Sequence, residues 1–208
     1  QVFESWNLQP RRNLAGSKTF TVVFGLLVAL AGTSVQADII NVAAKGSGWC
    51  SSDAQYVSTD CADSNLNLHS NTFAGINSGV GGDTHRNWFA FDLPAWGMIS
   101  SASMFIWNDV ANANTNPVAA FNLYKALDLS FEGLINNPSP SLGSVLVDSA
   151  NAGTTSGYVE IELNAAGIAA LTASLGNQFI FGGNNDYGDQ IFGFTSGRPI
   201  AYLAVEVP

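Results

Sequence analysis

The sequence predicts an all-β protein: an antiparallel, jelly-roll-like sandwich of two sheets with one short helix, preceded by a signal peptide. Three observations predict this fold. Segments of alternating apolar and polar residues recur along the chain, turns rich in Gly, Asn and Ser separate them, and an apolar stretch lies near the N-terminus. The length of 208 residues suits one domain, which we assign to residues 38–208 after a leader at 1–37.

The leader has the three parts of a secretory signal peptide. A basic stretch at 11–18 precedes an apolar core at 20–31, and the small-residue pattern Val-Gln-Ala follows at 35–37. A short membrane anchor is the alternative, but the core is shorter than the roughly 20 residues that span a bilayer. We therefore expect export by the Sec or the twin-arginine route and cleavage before Asp38. The mature chain is then expected outside the cell or on its surface, without membrane insertion.

Composition and charge exclude several classes of protein. Hydrophobic residues make up 47% of the chain, which is too many for intrinsic disorder. The leader holds one acid and three bases, so residues 38–208 contain 15 acids and 4 bases, a net charge of −11. A surface this acidic has no Lys/Arg footprint for phosphate groups, so we expect no nucleic-acid partner.

The two cysteines, Cys50 and Cys61, both lie in the part of the chain that is expected to be exported. An even cysteine count in an oxidising compartment favours a structural disulfide between them. Zinc ligation is the alternative, but no further Cys or His completes a tetrahedral set of ligands.

Seven segments have the period-two alternation of half-buried strands. They are residues 88–93, 99–107, 119–125, 145–148, 158–163, 178–182 and 200–207. The alternation assigns five side chains of the first two segments to the core between the sheets. These are Phe89, Phe91, Ala102, Met104 and Ile106. The alternating residues Trp88, Phe105 and Trp107 are expected on the opposite faces of their strands.

One segment follows a helical period instead. Asn164 is a good N-cap, Gly176 suits the C′ position, and apolar residues recur at helical spacing between them. We expect a short helix that connects two strands. Residues 62–87 and 108–117 follow no period and are expected to form long loops.

Two strand segments also carry a family resemblance. Residues 86–93 (RNWFAFDL) and 99–104 (ISSASM) resemble the "RNFFVFDL…ITSATL" signature of exported bacterial proteins with PEP-CTERM sorting signals. Further matches are Ser-Gly-Trp at 47–49, Leu-Asn-Ala-Ala at 163–166 and Phe-Gly-Phe-Thr at 192–195. The core of the signature is similar, more distantly, to DNRLRE-type sandwiches that look like carbohydrate modules.

The resemblance covers most of residues 40–207, and its motifs are strand patterns rather than catalytic signatures. It implies an extracellular β-sandwich on or near a bacterial envelope, and it implies no enzymatic activity. Proteins of that group continue into a Pro-Glu-Pro motif, an apolar helix and basic residues, whereas this sequence stops at Pro208. Either an anchor follows this point or the protein is released.

No catalytic motif is recognisable. The chain lacks a G-x-S-x-G nucleophile elbow and a P-loop, and its two histidines, His69 and His85, lie in loop-like sequence. The nearest carboxylate pair, Glu160 and Glu162, alternates outward on one predicted strand, which is typical of a solvated sheet face. We therefore expect that the protein is not an enzyme.

A Gly-rich segment at 182–190 offers oxygen ligands at short spacing, namely Asn184, Asn185, Asp186 and Asp189. We expect an ordinary turn without a cofactor, because EF-hand spacing is missing and turns are rich in the same residue types. A calcium site at Asp186 and Asp189 is the alternative. A second, looser acidic cluster contains Asp60, Asp63 and Asp83.

Aromatic side chains are the best candidates for binding. Trp88, Phe105 and Trp107 are expected on outer sheet faces, where rings stack against sugars or bury a partner's surface. We favour cover of these rings by the loops at 62–87 or 108–117, which would form a satellite core, and exposed rings are the alternative. We expect a non-catalytic secreted, cell-surface or matrix protein that self-associates or contacts extracellular polysaccharide. The alternative function is a carbohydrate-binding module that uses these three rings.

Overall fold

The structure is a computed structural model that describes part of the chain. The described residues are 37–52, 61, 63, 65–77, 83–109, 119–135, 141–147, 156–185, 191–193 and 199–208. They all belong to the second of the two units into which the chain divides, Gln1–Ser34 and Val35–Pro208. The leader prediction therefore lies outside the described residues. In the described part, no helix is both long and apolar enough to cross a membrane.

The described residues form ten strands and one helix. In chain order they are β1 (Asp38–Ala43), β2 (Gly46–Ser51), β3 (Gly75–Asn77), β4 (Asp83–Asp92), β5 (Ser101–Asn108), β6 (Ala119–Lys125), β7 (Gly143–Val147), β8 (Gly157–Glu162), α1 (Ala165–Thr172), β9 (Gln178–Asn185) and β10 (Ala201–Val207).

Two antiparallel sheets pack face to face, which confirms the predicted all-β sandwich with one short helix. The four-stranded sheet has the order β1-β10-β5-β8, and the six-stranded sheet has the order β2-β4-β9-β6-β7 with β3 beside β4. The chain passes from the first sheet to the second at Ala44 and Lys45, whose amides bond to the carbonyls of Ala201 and Ala90. β1 and β2 are therefore consecutive in the chain but lie in different sheets.

The core between the sheets contains the five side chains predicted for it. Each of these five is at most 5% exposed: Phe89, Phe91, Ala102, Met104 and Ile106. Register explains why they meet, since Met104 lies opposite Leu203 on one side and Ile161 on the other. The inward positions that period-two alternation predicts for residues 88–93 and 99–107 are confirmed.

Helix α1 begins after the predicted N-cap, Asn164, but it ends at Thr172 with Ala173 as C-cap, so Gly176 lies beyond the C′ position predicted for it. The Asn164 side chain accepts a hydrogen bond from the Gly167 amide at 3.0 Å, which caps the N-terminus. Gly176 follows the last turn with a φ of 75°, a conformation that glycine adopts without steric cost. Leu171 packs from the helix into the core.

The sequence prediction of a long loop at 62–87 is wrong in its second half. Residues 75–77 form β3, and β4 begins at Asp83 rather than at Trp88. The inward positions at the start of β4 are His85 and Asn87, both buried polar residues. Because polar residues occupy these core-facing positions, the apolar alternation that marks a strand is absent there.

The outer faces of the two sheets differ. The six-stranded sheet is covered by a second apolar cluster, in which Trp88, Ala90, Cys50 and Leu134 are fully buried. A Cβ on Gly182 would collide with the Leu134 carbonyl, so the close approach of this covering segment requires glycine. The outward side chains of β5, β8 and β10 in the four-stranded sheet are half-buried or exposed.

Replacing Phe91 by alanine tests the core. Phe91 is fully buried and contacts the ring of Phe181 edge to face, with centroids 5.9 Å apart. The substitution should lower the free energy of unfolding by about 3–5 kcal/mol, the range for deleting a buried aromatic ring, in urea denaturation. The control Leu146→Ala, whose side chain is 60% exposed, should change it by less than about 0.5 kcal/mol. Similar losses in both variants would contradict the assignment.

Candidate binding face

The outer face of the four-stranded sheet brings together aromatic residues from three strands. Alternation along each strand points Phe105 and Trp107 of β5, Tyr158 of β8 and Tyr202 of β10 away from the core. Register then places Phe105 opposite Tyr202, and Trp107 opposite Tyr158. We call these four half-buried side chains the aromatic patch.

The rings of the aromatic patch pack on one another. Phe105 and Tyr202 stack face to face, with centroids 4.7 Å apart and planes 6° from parallel. The ring of Tyr158 meets Tyr202 and Trp107 edge to face, at 5.1 and 5.3 Å. Since β5 lies between β8 and β10, Tyr158 leans across β5, and its hydroxyl donates a hydrogen bond to the Pro199 carbonyl at 2.7 Å. The patch is therefore a coherent apolar surface rather than isolated rings.

Carboxylates adjoin the aromatic patch on the same sheet face. Glu160 and Glu162 of β8 are exposed, and Glu160 lies opposite Phe105. Glu206 of β10 faces the same way, and its Oε2 accepts a hydrogen bond from the Ser101 hydroxyl at 2.6 Å. We call the aromatic patch together with these three carboxylates the binding face. The outward orientation predicted for Glu160 and Glu162 is confirmed.

Lysine and arginine side chains of the described residues lie elsewhere. Lys45 pairs with Asp92 at 3.1 Å, and Lys125 lies 5.6 Å from the ring centroid of Phe179. Arg86 sits 3.8 Å above the Phe131 ring in the layer that covers the six-stranded sheet. In the part of the chain that the structure describes, the binding face therefore carries only negative charge.

Trp88 is not an accessible ring: of the two interpretations weighed from the sequence, cover by a loop holds for Trp88, and exposure beside Phe105 and Trp107 does not. It points to the outer face of β4, opposite to Phe89, as alternation predicts. However, it is fully buried beneath residues that include Leu134, and the His69 ring meets it edge to face at 6.2 Å. A segment distant in sequence covers it, which periodicity along one strand cannot indicate.

The disulfide between Cys50 and Cys61 belongs to this covering layer. It joins β2 to a residue of the β2–β3 connection, with Cα atoms 5.0 Å apart. The Cys61 sulfur lies 3.4 Å from the Leu129 carbonyl oxygen, so the cross-link also touches the β6–β7 connection. The disulfide predicted from the cysteine count is confirmed, and it ties the β2–β3 connection in the covering layer to β2.

Asp63 holds the segment around Trp88 by three hydrogen bonds. Its carboxylate accepts from His69 Nε2 at 2.8 Å and from the amides of Asn65 and Asn67 at 3.0 Å each. The His69 hydrogen bond, followed by the backbone bonds, lowers the pKa of the Asp63 carboxyl. His69 and Asp63 are thus engaged in positioning a loop.

The remaining candidates for chemistry are separated by the fold. His85 is buried on the inner face of β4 against the ring of Trp49 at 4.4 Å, and burial lowers its pKa. His69 lies on the opposite side of that sheet, and Glu160 lies on the other sheet. Among the described residues, the candidates His69, His85 and Glu160 therefore do not meet at one point.

The expected turn at 182–190 is wrong for its first half. Asn184 and Asn185 lie in β9 and are buried, and Asn185 is paired in register with Phe121. Asp186, Asp189 and Asp60 lie outside the described residues, so the calcium alternative stays a prediction. No group of three His, Cys, Asp or Glu side chains able to hold a metal occurs within the described ranges.

Two aromatic residues and one carboxylate of the binding face, Tyr158, Tyr202 and Glu206, are not among the candidates from the sequence. Tyr158 and Tyr202 alternate with apolar core residues in the predicted strands, so their outward orientation was readable. Their proximity to Phe105 and Trp107 was not, because it depends on β8 and β10 both being neighbours of β5.

Comparisons with known proteins give little similarity. No family model and no curated protein matches the chain. Among solved structures, it is similar to the K1 cleaved adhesin domain of Lys-gingipain from Porphyromonas gingivalis W83, at 11% identity and a TM-score of 0.34, over 82% of this chain and 98% of that one. The K3 cleaved adhesin domain of the same protein gives 11% identity and a TM-score of 0.30, over 83% and 96%. TM-scores this low carry neither fold nor function over to this chain.

Removing the disulfide should destabilise the protein without abolishing the fold. In the Cys50→Ser/Cys61→Ser variant, the unfolded chain gains the freedom of an open loop, which is worth about 3 kcal/mol in the chain-entropy model. Urea unfolding of both proteins, with and without reductant, measures the difference. Reductant should lower the urea midpoint of the wild type to that of the double variant. A double variant with the same midpoint as the oxidised wild type would contradict the stabilising role of the disulfide.

Replacing Asp63 by asparagine should change how stability depends on pH. Because the folded-state pKa of Asp63 is lowered, its ionised form stabilises the fold above its ordinary pKa of 3.8, and this contribution is lost as pH falls through the lowered value. The variant should therefore melt at a lower temperature than the wild type at pH 7, with the gap closing below about pH 4. A gap that persists unchanged into acid would refute the role of the charge, and Glu162→Gln serves as the exposed control.

Proposed function

We propose that this chain is a non-catalytic β-sandwich protein that is exported, is displayed outside the cell, and acts by binding through the binding face. One observation carries the proposal: four half-buried rings from three strands cluster on the outer face of the four-stranded sheet, whereas Trp88 on the outer face of the other sheet is fully buried. A clustered apolar surface that is only half-buried is typical of an interaction site.

The separation of titratable groups supports binding rather than catalysis. General acid–base or nucleophilic chemistry needs its groups within hydrogen-bond reach of one reacting atom. Here the polar contacts of Asp63 and His69 serve the covering layer, and the ring of His85 packs against Trp49. The Cys50–Cys61 disulfide supports export, because such bonds persist in oxidising compartments.

A carbohydrate is the ligand class that the binding face suits best. Sugar rings present apolar C–H surfaces beside hydroxyl groups, and they pack on aromatic rings flanked by hydrogen-bonding side chains. The binding face has this composition, since Glu160 lies opposite Phe105 and Ser103 lies opposite Glu162. Of the three rings that the sequence suggests for binding, Phe105 and Trp107 belong to the binding face and Trp88 does not. Tyr158 and Tyr202 are its further rings.

Self-association through the same face is disfavoured by charge. Two copies placed face to face would bring their carboxylates together without compensating lysine or arginine from the described residues of that face. Juxtaposed like charges oppose association. We therefore expect light scattering to detect no dimer that forms as the protein concentration rises and is lost in Phe105→Ala.

Glycan binding can be tested directly with an array of extracellular polysaccharides. Phe105→Ala and Trp107→Ala should each weaken binding by about tenfold or more, because they remove central rings of the contact. Leu127 is 69% exposed and lies outside the binding face, so Leu127→Ala should leave glycan binding unchanged. Melting curves confirm that each variant is folded. Binding that survives both ring substitutions, or an array without any ligand, would refute the assignment.

A further inference from the structure

Among the described residues, the binding face combines aromatic rings with negative charge and has no lysine or arginine. Glu160 and Glu162 are exposed beside the aromatic patch, and Glu206 lies on the same face across β5. The lysine and arginine side chains of the described residues all contact the six-stranded sheet or its covering layer. Charges of one sign on one surface create a field that attracts ligands of the opposite sign.

Hydrogen-bonding capacity points in the same direction as charge. An ionised carboxylate only accepts hydrogen bonds, so three carboxylates present an excess of acceptors. Only one of them is satisfied by a neighbour on the face in the described structure, through the Ser101 hydroxyl and Glu206. A ligand that fits this surface must be rich in donors. An ammonium group supplies three donors and a positive charge together.

The carboxylates and the rings are close enough to act on one ligand. Side chains directly opposite each other on neighbouring strands have Cβ atoms about 4.5–5.5 Å apart, and this is the relation between Glu160 and Phe105. Phe105 in turn stacks on Tyr202 at 4.7 Å. A sugar unit packed on these rings would therefore hold its substituents near Glu160.

From this juxtaposition we propose that the binding face takes a cationic glycan, a polymer of amino sugars whose amines are free rather than acetylated. The inference rests on the proposed glycan binding and adds the charge of the ligand to it. The rings pack against the sugar, and Glu160 and Glu162 bond to its ammonium groups. Acidic glycans and nucleic acids are repelled by the same carboxylates.

Two oligosaccharides of the same length and linkage separate charge from sugar packing. They are a β-1,4-linked N-acetylglucosamine hexamer, which is neutral, and its fully deacetylated form, a glucosamine hexamer. Calorimetry at about pH 6, where carboxylates in general are ionised and amines protonated, gives both affinities. The glucosamine hexamer should bind about tenfold tighter in dilute salt, and this preference should shrink at about 0.5 M NaCl because salt screens exposed charges.

Matched variants assign the preference to particular side chains. Glu160→Gln should lower affinity for the glucosamine hexamer by about threefold to tenfold and change affinity for the N-acetylated hexamer by much less, since it removes a charge and keeps the shape and a hydrogen-bonding group. Glu132→Gln removes one charge from the covering layer at an 88% exposed side chain, and should alter neither affinity. Phe105→Ala should weaken both hexamers.

The outcomes distinguish the two proposals. Equal binding of both hexamers, lost in Phe105→Ala, would overturn the amine preference and leave glycan binding standing. Failure of both hexamers to bind would overturn the amino-sugar assignment, and the glycan array then decides the broader proposal by itself. A lysine hexamer tests for recognition of charge alone. If it binds as tightly as the glucosamine hexamer and Phe105→Ala does not change its affinity, the amino-sugar assignment is wrong.

Discussion

Burial of Trp88 on the outer side of the six-stranded sheet is the constraint on which the rest of the architecture depends. A large ring at that position must be removed from water, and the β6–β7 connection with Leu134 and the Cys50–Cys61 disulfide provide the cover. Gly182 permits the close approach, because any side chain there would meet the Leu134 carbonyl. The six-stranded sheet thereby becomes a layer with apolar contacts on both faces.

The four-stranded sheet meets a different requirement, since its outward aromatic residues pack mainly on one another. Edge-to-face and stacked contacts link Phe105, Trp107, Tyr158 and Tyr202, so each ring loses part of its contact with water to its neighbours in the patch. This arrangement leaves apolar surface at the boundary with solvent, next to Glu160. The two sheets thus shield their outward rings in different ways.

Much of the fold could be predicted because most strands have one apolar and one polar face. The alternation in β5, β8 and β10 identified both the strands and their inward side chains. It failed at β2, where Gly and Ser dilute the pattern, and at the start of β4, where inward Asn87 donates to the Thr72 carbonyl instead of packing as an apolar side chain. It also failed at Asn184 and Asn185, which are turn-forming residues held within β9 by pairing with β6.

The sequence by itself determined which side chains of a strand share a face, because alternation is a property of the local backbone. That was enough to orient Phe105 and Trp107 outward and to place Phe89, Phe91 and Met104 inward. Only the tertiary structure decided which outward rings are accessible and which neighbours they have. Trp88 and Trp107 look alike in sequence, yet one is buried by a segment some forty residues away and the other joins Tyr158, because strand order and the path of the connections are set by long-range packing.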